Sequence, residues 1–259
     1  MSNNSNSYLL NLLRRTYRMM GARGYNVENY SFLSDVESEW IDQTFNNENI
    51  NWEQNPVKFF IKQNQLKSIR SMMSDFLVKE IINVDGTISY KYCLIYYTNN
   101  SATSNNTSVS EVDTFLILLT ILNNKLNNNF KDAILITTTP LSPQALQKFN
   151  DITFFNLQHF NDNEILFDPT DHVYNQQTYI LSPYETKLFF EKNSNCKASQ
   201  FPKVYTSEAV IKYLGGNVGE IVEYSCKSIL PNSLVNVSIE HRLISKNNMK
   251  NKTSRPNKK

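Results

Sequence analysis

The chain has 259 residues, 40% hydrophobic and 12% aromatic, enough to bury a core in one large domain or two modest ones. Net charge is +2, but Lys246, Lys250, Lys252, Arg255, Lys258 and Lys259 follow Ile244 with no acid among them, so the rest of the chain carries −4. That excludes a non-specific basic coat for nucleic acid over the body and confines any such contact to local sites.

No apolar run approaches the roughly 18 residues that a membrane helix needs. Cys93, Cys196 and Cys226 show no Cys-x-x-Cys spacing, which fits a reducing compartment. A zinc site from Cys196, Cys226, His172 and His241 matches no known ligand spacing. No cofactor is expected.

A polar leader, residues 1–7, precedes "YLLNLLRRTYRMM". This acid-free, arginine-rich stretch has the composition of a mitochondrial presequence. It also reads as a first core helix, with Leu9, Leu13, Tyr17 and Met20 on one face, ending where Gly24 can take a left-handed cap. Within residues 28–85 the best helical pattern is "QLKSIRSMMSDFLVKEI". A turn at Asp85-Gly86 then leads into the strand "SYKYCLIYY", with the preceding segment a candidate hairpin partner.

Composition makes "TNNSATSNNTS" a loop. Ser108 and Glu111 form a capping-box pattern ahead of an apolar helix that runs to the Asn cluster at 127. "DAILITT" reads as a buried strand. In "LSPQALQKF" and "LSPYETKLFF", Ser142 and Ser182 fit as N-caps, with Pro143 and Pro183 at the first helical position. Glu185 completes a capping box with Ser182. "ITFFN" and "EILFD" look strand-like. After "QFPKVY" come a short helix, "SEAVIKYL", the strand "GEIVEYS", a turn around Pro231-Asn232 and the strand "LVNVSIEHRLI". Strands joined through helices give an α/β (α+β) class, a sheet covered by helices.

The glycine-rich "YLGGNVGEIVEY" at 213–224 invites a phosphate-loop reading. A P-loop needs a strand before the glycines, a helix after them and a Lys-Ser or Lys-Thr pair. Here the order is reversed and the pair is missing. Gly215 is therefore expected to cap a helix and Gly219 to open a strand.

That arrangement resembles the fifth subunit shared by the nuclear RNA polymerases, whose C-terminal half matches a subunit of the archaeal RNA polymerase. In that family a tyrosine and a bulky residue precede the first glycine, as do Tyr213 and Leu214 here. Thr170, His172, Ser182 and Glu185 fall on a further motif, with Gln176 where the family has proline. "QFPKV" and "EHRLI", with Arg242 in register, fall on two more. Ser142-Pro143-Gln144-Ala145 fall on the family's Thr-Pro-Ser-Ala, and "RGYNV" on the Arg-Gly-Tyr that closes its first helix. The last match favours the core helix over the presequence. The resemblance covers 133–244 well, 8–27 thinly, and 28–132 only in topology.

The resemblance implies a non-catalytic polymerase subunit, with a nuclease-like but inactive jaw domain over 8–160, an assembly domain over 165–244 and a basic, disordered tail over 245–259. The implied partners are the largest polymerase subunit, other polymerase subunits and downstream duplex DNA. DNA-proximal candidates are Thr139, Ser142, Pro143, Gln144 and Ala145, since a helix start offers amides and a dipole to phosphate. Interface candidates are His172, Lys212, Tyr213, Gly215, Gly219, Lys227 and Arg242; Tyr213 and His172 serve equally well as core residues. Lys212 replaces the family's arginine, and "CKSI" replaces its Arg-Pro-Ser-Glu, so the family's contact geometry does not carry over unchanged there. Such departures, with an asparagine-rich composition, point to a large cytoplasmic DNA virus as the source. The location would then be virion and viral factory, and the nucleus if the chain is cellular.

Rival classes find less support. A metal-dependent nuclease needs an acid two residues before Lys91, where Ser89 stands. A serine hydrolase needs a Gly-x-Ser-x-Gly elbow, which is absent. A nucleic-acid adaptor working through the basic tail stays open.

Overall fold

The computed structural model describes residues 2–45, 55–64, 68–99, 105–125, 130–172, 177–227 and 237–246. Mixed helices and two four-stranded sheets make it an α+β protein. The chain divides into two compact units, Met1–Ile81 with Ile88–Asp168, and Ile82–Thr87 with Pro169–Lys259.

The first unit opens with α1 (Ser2–Ala22). The helix includes the polar leader, and the Asn6 amide donates to Asp42 at 2.6 Å. Leu9, Leu13, Tyr17 and Met20 are all buried, and so are Leu10, Leu12 and Met19. The stripe is wider than one core face because α1 packs against other helices as well. It ends in a Schellman motif: Tyr25 N donates to Met20 O and Gly24 N to Gly21 O, with Gly24 at φ 80.

Short helices follow: α2 (Glu39–Phe45), α3 (Pro56–Gln63) and α4 (Ile69–Met72). Among the described residues, the helical pattern of "QLKSIRSMMSDFLVKEI" is kept only over Ile69–Met72. Ser68 caps one turn, and the chain then enters the strand β1 (Asp75–Ile82). Ser74 Oγ accepts from Tyr97 N at 2.9 Å, which pins the start of β1 beside its neighbour. Tertiary pairing overrides a local pattern that suits either structure.

The turn at Asp85-Gly86, with Gly86 at φ 84, leads to β2 (Ile88–Tyr97). Then come α5 (Val109–Lys125), β3 (Phe130–Thr137), α6 (Pro143–Asp151), β4 (Asn156–Asn161) and α7 (Asp162–Leu166). The sheet order is β1-β2-β3-β4, with β2, β3 and β4 parallel. Crossovers α5 and α6 pack on each other, as two helices covering one side of a sheet do. Tyr96 meets Phe115 of α5, while Tyr97, pointing the opposite way, lies beside Arg70 of α4.

The strand expectation for "ITFFN" and "EILFD" is corrected. Residues 152–155 form a loop and the strand is 156–161, whose half-buried "NLQHFN" hides its pattern at the sheet edge. "EILFD" falls largely in α7, because Asn161 N donates to Glu164 Oε2 at 2.8 Å and opens a helix.

The second unit contains β5 (Gln177–Ile180), α8 (Pro183–Lys192), β6 (Lys203–Tyr205), α9 (Ala209–Leu214), β7 (Ile221–Lys227) and β8 (Val237–Ser245). Its sheet order is β5-β7-β8-β6. One face holds a core of Val204, Ile211, Val222 and Ile244, edged by Ile180 and Tyr224. Each fully buried aliphatic contributes about 1.5–3 kcal/mol. The other face carries Glu223 and His241 against Phe189 of α8. The turn around Pro231-Asn232 and the tail beyond Lys246 lie outside the described residues, and Ser245 belongs to β8.

Candidate functional site

The loop from β3 to α6 carries the residues expected near nucleic acid. Ser142 is the N-cap, its Oγ accepting from Ala145 N at 3.2 Å, and Pro143 occupies the first turn. Pro143 has no N–H and the Ala145 amide is capped. Gln144, exposed, supplies the remaining first-turn amide. The Ala145 side chain is fully buried, so it can only anchor the helix.

The loop is tied down from beneath. Thr107 N donates to Pro140 O at 2.8 Å, and Ser142 N to Thr107 O at 3.1 Å. Thr107 Oγ1 lies 3.1 Å from both the carbonyl oxygen and the hydroxyl of Thr139. Thr137 Oγ1 sits 2.7 Å from Thr139 O, 2.8 Å from His159 Nε2 and 3.0 Å from Asn161 Oδ1. Thr139 is thus partly engaged in holding the loop. Sequence reasoning missed Thr107, Thr137, His159 and Asn161. They are scattered over 55 positions and share no spacing; only parallel strand register aligns Thr137 with Asn161.

At another part of the same sheet, Lys91 pairs with Asp132 at 2.7 Å, and Asp132 also accepts from Tyr25 at 2.7 Å and Asn156 at 3.1 Å. This lysine therefore meets one carboxylate across the strand. Among the described residues no group of three or more His, Cys, Asp or Glu side chains could hold a metal ion.

In the second unit the glycine-rich stretch does what its order of elements implied. Gly215 has φ 75 and ψ 30; Gly216 N donates to Ile211 O and Gly215 N to Lys212 O, a second Schellman motif. Gly219, at φ 95, donates to Ile244 O. Tyr213 is 2% exposed and belongs to the interior. Lys212 lies in the last turn of α9, where a positive charge suits the helix end.

His172 is exposed, beyond a short 3-10 turn at Pro169–Asp171. Arg242 lies over the Tyr224 ring at 5.0 Å and grips Glu240 through two bonds, 2.9 and 3.1 Å. Gly219, His172 and Arg242 thus keep exposed or half-exposed surface, whereas Tyr213 does not. Lys227 ends β7, and its side chain, like that of Cys226, lies outside the described residues. Of the zinc candidates, His241 instead approaches Glu223 at 3.1 Å, and Cys196 is exposed.

Comparison with known proteins bears on this second unit. The family described as "RNA polymerase Rpb5, C-terminal domain" matches residues 167–235. The Dictyostelium discoideum protein "DNA-directed RNA polymerases I, II, and III subunit rpabc1" is 31% identical over 105 residues, covering 40% of this chain and 51% of that protein. The RPABC1 subunits of Caenorhabditis briggsae and Caenorhabditis elegans are each 26% identical over 117 residues, 45% of this chain and 53% of theirs. The chain thus spans about half the length of the curated relatives it matches. Residues 167–235, which hold α8, α9, β7 and the glycine turn, are similar to the C-terminal domain of RNA polymerase subunit Rpb5.

Proposed function

We propose that the protein is a non-catalytic subunit of a multi-subunit DNA-directed RNA polymerase. The observation that carries this reading is the family match over 167–235, which falls on a compact unit with its own sheet and core. The second unit docks on the largest polymerase subunit. His172, Lys212, Gly215, Gly219, Lys227 and Arg242 are the contact candidates, and Tyr213 supports them from the interior. Arg242, stacked on Tyr224 and already bonded to Glu240, offers a partner only its remaining guanidinium hydrogens.

The first unit serves as the jaw. Its β3–α6 loop, with Pro143 and Gln144 exposed, Thr139 and Ser142 half-buried and Ala145 as anchor, sits near downstream DNA. One exposed amide and a helix dipole there position a phosphate without reading sequence. The divergence of the interface positions supports a viral polymerase, in the virion and cytoplasmic factory; a cellular polymerase would place the subunit in the nucleus.

The test is a native pull-down of the N-terminally tagged full chain from its own source. Two very large polymerase chains recovered near one-to-one support the reading, and their identity separates viral from cellular. Recovery alone or with unrelated proteins overturns it.

A further inference from the structure

Thr137, at the end of β3, is fully buried, and its hydroxyl has three polar neighbours. A hydroxyl owns one hydrogen and two lone pairs. The Thr139 carbonyl can only accept, and at 2.7 Å it takes that hydrogen. His159 Nε2, 2.8 Å away, must then carry a hydrogen and donate it to Thr137 Oγ1. Asn161 Oδ1, 3.0 Å away, is a second acceptor beside the same hydroxyl, so the single Thr137 hydrogen already faces two acceptors and His159 cannot be a third.

The result is a directed chain from β4 to the loop: His159 Nε2–H to Thr137, then Thr137 O–H to Thr139 O. Thr107 reaches that carbonyl from the other side at 3.1 Å. The imidazole is held in place by β4 and by the Phe149 ring of α6, 6.4 Å away edge-on. The loop therefore takes its shape from a donor on a different strand.

We propose that His159 is a positioning residue for the β3–α6 loop, acting through Thr137 to fix the Thr139 carbonyl and, with it, the start of α6. That the loop faces DNA rests on the proposed function; the loop's dependence on His159 does not.

The test uses the full chain and reads amide hydrogen exchange in wild type, His159→Leu, His159→Gln and Thr137→Val. Loss of one such buried bond speeds exchange of the Thr107 and Ser142 amides roughly fivefold. The expected result is that acceleration in His159→Leu and Thr137→Val, with β2 and β3 core amides unchanged. Near-wild-type exchange is expected in His159→Gln, whose amide can donate in place of Nε2. In the double variant His159→Leu/Thr137→Val the effects should not add, since both cut one chain. Unchanged loop exchange in His159→Leu, acceleration spread evenly over the core, or failure of Gln to restore the loop each overturns the proposal. A photo-crosslinker at Gln144 in the assembled polymerase reports on the functional reading separately. Absence of DNA crosslinks in the wild type would sink that reading and leave the exchange result to decide the role of His159.

Discussion

Arg70 and Asp162, 92 residues apart in the chain, meet in a two-pronged ion pair of 2.6 and 2.8 Å with both side chains almost wholly excluded from solvent. Arg70 also donates to Thr98 O at 3.1 Å, and Asp162 accepts from Tyr8 at 2.8 Å. The pair therefore joins α1, α4, α7 and the end of β2 within the first unit.

Breaking this pair on one side leaves a buried charge without its partner. Arg70→Met or Asp162→Asn should each cost about 3–5 kcal/mol, read as a lowered urea midpoint of the full chain. Replacing both, Arg70→Met with Asp162→Asn, should cost less than the sum of the single changes. Additive losses would show that the two groups do not support each other.

Glu185 predicts a pH dependence. Partial burial works to raise its carboxyl, but hydrogen bonds from Ser182 and Tyr179 outweigh that and hold it below the ordinary carboxylate value of 4.5. A group depressed in the folded state stabilises above its unfolded value, and that contribution fades as pH falls through the folded one. The stability gap between wild type and Glu185→Gln should therefore be full near neutrality and shrink below about pH 4.5. Thermal unfolding of both proteins across pH 3 to 7 measures it; a gap independent of pH refutes the assignment.

The thiols should separate by accessibility. Burial pushes Cys93 up to about 12, whereas Cys196 lies exposed. In a Cys226→Ser background, a thiol reagent at pH 8 should titrate one group promptly and the second only after denaturation. Prompt labelling of two groups would contradict the buried position of Cys93.

The glycines of the second unit should differ in a way their spacing does not reveal. A β-carbon on Gly216 would lie 2.7 Å from Ile244 Cδ1 and 2.8 Å from Ile211 Cγ2. Gly216→Ala should thus destabilise by about 1–3 kcal/mol through overpacking. Gly219→Ala meets open space and costs only the strain of φ 95, about 1 kcal/mol. If Gly219 also touches a polymerase partner, its alanine variant should lose co-purification out of proportion to its change in melting temperature.

Local chemistry was legible wherever a few neighbouring residues settle the outcome. Ser142-Pro143 and Ser182-Pro183-x-Glu185 start helices because cap, missing amide and carboxylate all lie within four positions. Gly24 and Gly215 stop helices because the next step is left-handed. The glycine turn was legible for the same reason, and with it the family resemblance over the second unit.

Where two conformations suit the same residues, only tertiary structure decided. "SDFLVKEII" satisfies a helix or a strand, and β2 made it a strand. "EILFD" has strand-like residues, yet a capping bond placed most of it in α7. Tyr213 offered core or contact, and only the fold shows its side chain buried within the second unit. The Arg70–Asp162 pair and the His159–Thr137–Thr139 chain carry no mark in the sequence. Their members are brought together by parallel strand register and helix packing, long-range terms that no window of neighbouring residues contains.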